Sequence, residues 1–67
     1  MKRKLNIEGM SCQHCVRAVK EALESVEGVR SVVVDLTTKT AEFETTAEDL
    51  TPMIEAVEEE GYEARVA

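Results

Sequence analysis

The sequence predicts an α+β fold: a four-stranded antiparallel sheet with two helices on one face. Three observations predict it. Apolar residues alternate with polar ones in four short stretches and recur at three- and four-residue spacing in two longer ones. The periods follow one another as strand, helix, strand, strand, helix, strand. The middle two strands are joined by a connection so short that they must form an antiparallel hairpin.

The first strand is Lys4-Leu5-Asn6-Ile7-Glu8, with Leu5 and Ile7 turned inward. Gly9 breaks it, and the segment Met10–His14 reads as a loop. From about Cys15 the period becomes helical: Val16, Val19, Ala22, Leu23 and Val26 form one stripe, with Arg17, Lys20, Glu21 and Glu24 on the other side. Gly28 follows the last turn and suits a left-handed helix cap. Ser31–Leu36 is the second strand, with Val32, Val34 and Leu36 on one face. Thr37 and Thr38 make the turn. Lys39–Thr45 is the third strand, with Ala41 and Phe43 inward.

The second helix starts near Asp49 or Thr51, either of which is a good cap residue. Pro52 falls in its first turn, where a missing N–H costs little. Leu50, Met53, Ile54 and Val57 are its apolar stripe, Glu58, Glu59 and Glu60 its solvated end, and Gly61 its stop. Tyr62, Ala64 and Val66 then share one face of a last strand. This order is the split βαβ, or ferredoxin-like, βαββαβ sandwich. Residues 1–67 are expected to make one domain, without an internal linker.

Composition removes several classes of function. The net charge is −6 and the only aromatic residues are Phe43 and Tyr62, so nucleic acid, which needs a basic surface and stacking platforms, is not an expected partner. No apolar run approaches the ~20 residues of a membrane span. The N-terminus lacks the apolar core of a signal peptide. Membrane insertion is therefore not expected, and the cytoplasm, where thiols stay reduced, is the expected location. So small a chain has no room for a buried catalytic cleft beside its core. Charge is uneven: Lys2, Arg3, Lys4, Arg17 and Lys20 against Glu8 make the first twenty residues basic, and the remainder is strongly acidic.

The chemistry gathers in Gly9-Met10-Ser11-Cys12-Gln13-His14-Cys15, which holds both cysteines and the only histidine. A reduced Cys-x-x-Cys pair binds a soft metal, cycles to a disulfide, or forms half of a four-ligand zinc site. At a helix start, residues three apart turn their side chains to one side, and the positive helix end favours thiolate over thiol. Two thiolates and one histidine are too few for structural zinc. They suit Cu(I), a soft ion that accepts few ligands, and leave it approachable by a third thiolate from another protein. Cys12 and Cys15 are the candidate ligands for one Cu(I) per chain. His14 is a candidate auxiliary ligand or bridge in a copper-linked homodimer, its plainer role being that of an exposed loop residue. Arg17 and Lys20 are candidates for docking an acidic partner face, or ordinary helix-surface charges.

The Gly9-Met10-Ser11-Cys12-Gln13-His14-Cys15 segment resembles the Gly-Met-x-Cys-x-x-Cys motif of heavy-metal-associated domains, in the version found in the small bacterial copper chaperones. Glu60-Gly61-Tyr62 and the order of strands and helices are similar too, so the resemblance covers essentially the whole chain. It implies Cu(I) carriage, without catalysis, to a copper-transporting P-type ATPase, at its metal-binding domains or membrane entry site. It implies that Cys12 and Cys15 are the ligands, that Met10 packs under the loop, and that Tyr62 shapes it. Ser11 stands where zinc-exporting relatives tend to carry an acidic residue. Two other readings are an N-terminal metal-binding domain cut from such an ATPase and a thiol–disulfide redox protein. The redox reading lacks a Trp before the pair and a Pro within it. A purely structural interaction domain leaves the paired cysteines unexplained.

Overall fold

The computed structural model describes all 67 residues. Its elements are β1 (Lys2–Glu8), α1 (Gln13–Glu24), β2 (Arg30–Asp35), β3 (Thr40–Glu44), α2 (Thr51–Glu59) and β4 (Glu63–Val66). The four strands form one sheet in the order β2-β3-β1-β4, and every neighbouring pair is antiparallel. Leu5 and Ile7 of β1, Ala41 and Phe43 of β3 and Ala64 of β4 are buried on one face, together with Val19 and Leu23 of α1 and Met53 and Val57 of α2. The other face carries the polar residues of each strand, as alternation requires. The expected βαββαβ sandwich is the observed fold.

β1 is two residues longer than its apolar alternation suggested. Lys2 and Lys4 lie opposite Glu44 and Glu42 of β3, and opposite charges across a strand pair favour pairing. β2 is less regular than its valines imply. Ser31 takes a left-handed φ of 58°, and the β2–β3 register shifts between Arg30 and Val33. Val33, on the outer parity between Val32 and Val34, is 61% exposed on this edge strand, and bulges blunt an edge that would otherwise recruit other strands. Val66, on the inner-facing parity, is still 53% exposed at the end of the other edge strand.

The turn from β2 to β3 owes its shape to a neighbour of the two threonines. Asp35 Oδ1 accepts hydrogen bonds from the backbone N–H groups of Thr37 at 2.8 Å and Thr38 at 3.3 Å, an Asx turn. Asp35→Ala is expected to cost about 1 kcal/mol, the worth of local capping bonds of this kind. Urea unfolding measures it, and a cost indistinguishable from zero would show that the turn does not depend on Asp35.

The strand ends differ from expectation by one or two residues, and three helix boundaries move as well. α1 ends at Glu24, so Gly28, although left-handed at φ 88°, belongs to the turn that follows and does not cap the helix. The N-cap of α2 is Leu50, not Asp49 or Thr51. Leu50 is buried, and this apolar anchor sets where the chain enters the helix. Asp49 still serves the first turn, accepting from Thr51 N–H at 2.9 Å and Thr51 Oγ1 at 2.6 Å. These bonds hold its carboxyl below the usual range. The third shift, at the start of α1, falls within the cysteine segment.

Candidate metal centre

α1 begins at Gln13, and Cys12 is its N-cap in extended backbone (φ −158°, ψ 174°). The Cys12 carbonyl accepts from Cys15 N at 3.0 Å and Val16 N at 3.2 Å. The expectation that the helix opens at Cys15 is corrected accordingly: Cys15 already lies in the first turn. The side chain at the N-cap and the one three residues on therefore turn to the same side, and the two sulfurs stand 3.7 Å apart. Both cysteines are free; Cys12 is exposed and Cys15 half-buried.

Several groups converge on Cys15. The Ser11 hydroxyl lies 4.0 Å from its sulfur. The Cys15 pKa is lowered from 9.0 to about 6, chiefly by hydrogen bonding to the Tyr62 side chain and then to the backbone at Ser11, with lesser help from Cys12 and against the opposing effect of burial. The Tyr62 hydroxyl is raised in turn by its hydrogen bond to Cys15. Since the thiolate is the reactive form, alkylation of Cys15 is expected to reach half its plateau rate near pH 6 rather than near 9. Tyr62→Phe removes the largest lowering influence and moves that midpoint upward. Iodoacetamide labelling resolved by peptide mass shows it, and an unmoved midpoint in the variant would exclude Tyr62 as the cause.

The end of α2 brings Tyr62 to this place. Gly61 takes a φ of 96°, its N–H meets the Glu58 carbonyl at 2.9 Å, and Tyr62 N–H points to the Val57 carbonyl at 3.5 Å. This is the doubled bond pattern of a Schellman cap. It turns the chain directly from helix into β4, with the half-buried Tyr62 at the corner. At the other corner, Gly9 follows the end of β1 at Glu8, and the Tyr62 ring lies against Gly9.

The remaining candidate residues separate. Met10 is buried and belongs to the core. His14 is exposed, and no third His, Cys, Asp or Glu joins the two cysteines in a group that could hold a metal. Arg17 and Lys20 are exposed on α1, where they line a shallow groove with Gln13, Val16, Glu21 and Glu24. Their positive charge is thus interleaved with carboxylates. No cavity is lined by either cysteine, and the exposure of Cys12 places the dithiol at the surface. Sequence reasoning missed the part played by Ser11 and Gly9 in the surroundings of Cys15 and Tyr62. A small polar residue and a glycine beside a Cys pair carry no such signal by themselves.

A βαββαβ sandwich with an open dithiol at the start of its first helix defines a class, and the chain belongs to it: the heavy-metal-associated domain family, whose model matches residues 4–63. Among its relatives, the copper chaperone CopZ of Enterococcus hirae is 37% identical over 68 residues, which span 98% of this chain and 99% of that protein. The copper-exporting P-type ATPase of Vibrio cholerae is 40% identical over 62 residues, 92% of this chain but 7% of the ATPase. Among solved structures, a CopZ metallochaperone superposes with a TM-score of 0.88 at 34% identity, covering 97% of this chain and all of that one.

Proposed function

We propose that this chain is a cytoplasmic copper chaperone that binds one Cu(I) through the Cys12 and Cys15 thiolates and passes it by ligand exchange to a copper-transporting P-type ATPase. The observation that carries this reading is the pair of sulfurs 3.7 Å apart at an open helix N-terminus, with no third ligating side chain beside them. Two sulfurs closing on one ion at ~2.3 Å bonds need only small rotations from that separation. Zinc in a structural site asks for four ligands, whereas Cu(I) is satisfied by soft thiolates in small number.

Transfer follows from the same incompleteness. A thiolate of the partner attacks the exposed ion and forms a third Cu–S bond, one Cu–S bond of the carrier then breaks, and no electron or proton changes hands. No catalysis is involved. Similarity to both a free-standing chaperone and an ATPase supports a partner of the second kind. Arg17 and Lys20, beside the dithiol on α1, are the side chains proposed to meet an acidic partner face; His14 is proposed to stay outside the coordination sphere of the single chain. An N-terminal domain of an ATPase would use the same two ligands in the same way.

Titration of the reduced, anaerobic protein with Cu(I) against a chromophoric Cu(I) chelator tests this, followed by the same titration with Zn(II). One Cu(I) per chain held against the chelator, with zinc competing poorly, is the expected result. Preferential retention of Zn(II) would move the protein to the divalent-metal branch of its family. Failure to retain either ion would overturn the carrier reading.

A further inference from the structure

The charge of the chain is not shared evenly among its elements. Glu48, Asp49, Glu55, Glu58, Glu59 and Glu60 lie in α2 or beside it, and the run 48–60 holds no Lys or Arg. Those carboxylates account for the whole net charge of −6, since the basic and acidic side chains of the remaining residues balance.

α2 is a poor helix on several counts. It has nine residues, fewer than an isolated helix needs in water. Its N-cap residue, Leu50, makes no side-chain cap bond. Glu55 stands three and four residues before Glu58 and Glu59, spacings at which like charges lie together and destabilise a helix. These three side chains line one shallow groove, with no cation among them. Glu58, Glu59 and Glu60 also crowd the C-terminal end, where the helix dipole favours cations, and no basic residue occupies the last turn. Burial of Leu50, Met53 and Val57 works against all of this. α1 is built differently: it is twelve residues long and sets Arg17 and Lys20 beside Glu21 and Glu24. β4 follows α2 after Glu60, Gly61 and Tyr62, and is a four-residue edge strand bonded to β1 alone.

We propose that α2 and β4 form a segment that opens as a unit ahead of the rest of the domain, and that screening of the α2 carboxylates sets how often it opens. Opening takes Met53, Val57 and Ala64 out of the core, but it also lets the crowded carboxylates move apart. Salt weakens that repulsion and favours the closed form. β2, β3 and β1 remain neighbours in the sheet while the segment is open. The proposal uses neither cysteine and is independent of the Cu(I)-carrier reading.

Amide hydrogen exchange, followed by NMR on the reduced full chain, tests this. It is run at about 10 mM and about 150 mM NaCl, where charges are felt over roughly 30 Å and 8 Å. At low salt the amides of α2 and β4 should share one opening rate, faster than that of α1 and β3. Raising the salt should slow their exchange about fivefold relative to β3, the scale of a few like-charge contacts on a helix. Glu59→Lys, at an exposed position, makes the contact with Glu55 attractive. It should slow the same amides about tenfold at low salt, and by less at high salt. Glu24→Lys makes the same change of net charge on α1 and should leave α2 and β4 as they are in the parent.

Equal protection of α2, β4 and β3 in the parent would overturn the proposal, because the segment would then open only with the whole domain. Different opening rates for α2 and β4 would overturn it as well. So would a fast segment that ignores both salt and Glu59→Lys, or one that answers Glu24→Lys as it answers Glu59→Lys.

Discussion

Alanine at Cys12 or at Cys15 is expected to abolish tight Cu(I) binding while the protein stays folded. With only two sulfurs at the site, either loss leaves a single thiolate. The fall in affinity should far exceed the roughly 10–100-fold that follows when a mere supporting contact of a metal site is removed. The fold should tolerate both changes. Cys12 is exposed and Cys15 half-buried, and substitutions near a surface usually move stability by about 0.5 kcal/mol or less. Cys15 also packs on the core, so its variant should be the less stable of the two. Competition against a Cu(I) chelator and circular dichroism on the same samples separate the two effects. A Cys12→Ala protein that held Cu(I) as tightly as the parent would sink the assignment of the site.

Phe43→Ala is expected to do the reverse, removing the fold and the site with it. Phe43 is fully buried at the centre of the sheet, on β3 opposite Arg3 and beside Leu5 and Ala41. Truncating a buried Phe costs roughly 3–5 kcal/mol, whereas a chain of this length has only about 3–10 kcal/mol of stability in total. The variant should be largely unfolded at room temperature, or should unfold at a much lower urea concentration than the parent. A cost below about 1 kcal/mol would mean that the core is not built around this ring. The contrast is informative: Phe43 carries the fold and is no part of the site, whereas Cys12 is exposed and Cys15 only borders the core.

The period of the apolar residues was enough to read every element, because burial on one face imposes a repeat that survives in a single sequence. Leu5 with Ile7, Ala41 with Phe43, and Val19 with Leu23 all stand where that repeat puts them. Boundaries were less legible, since they depend on partners. Lys2 and Arg3 are strand because Glu44 and Phe43 pair with them. The bulge at Ser31 has no counterpart in an alternation that reads as unbroken. Leu50 is the N-cap of α2 and is buried, while Asp49 beside it still accepts from Thr51 in the first turn.

What the sequence by itself determined is the inventory: two cysteines and one histidine in a short segment between a strand and a helix, in a chain with the pattern of a βαββαβ sandwich. Local chemistry and periodicity are written residue by residue, so they need no partner to be read. What only the tertiary structure decided is the environment of that pair. It set the sulfurs 3.7 Å apart, left His14 exposed and outside any metal-holding group, placed Arg17 and Lys20 in one groove with Glu21 and Glu24, and set the Tyr62 ring against Gly9. Residues 9 and 62 meet because one sheet places the end of β1 beside the start of β4. That is a long-range pairing, and the cap at Gly61 then turns the chain into β4 with Tyr62 at the corner.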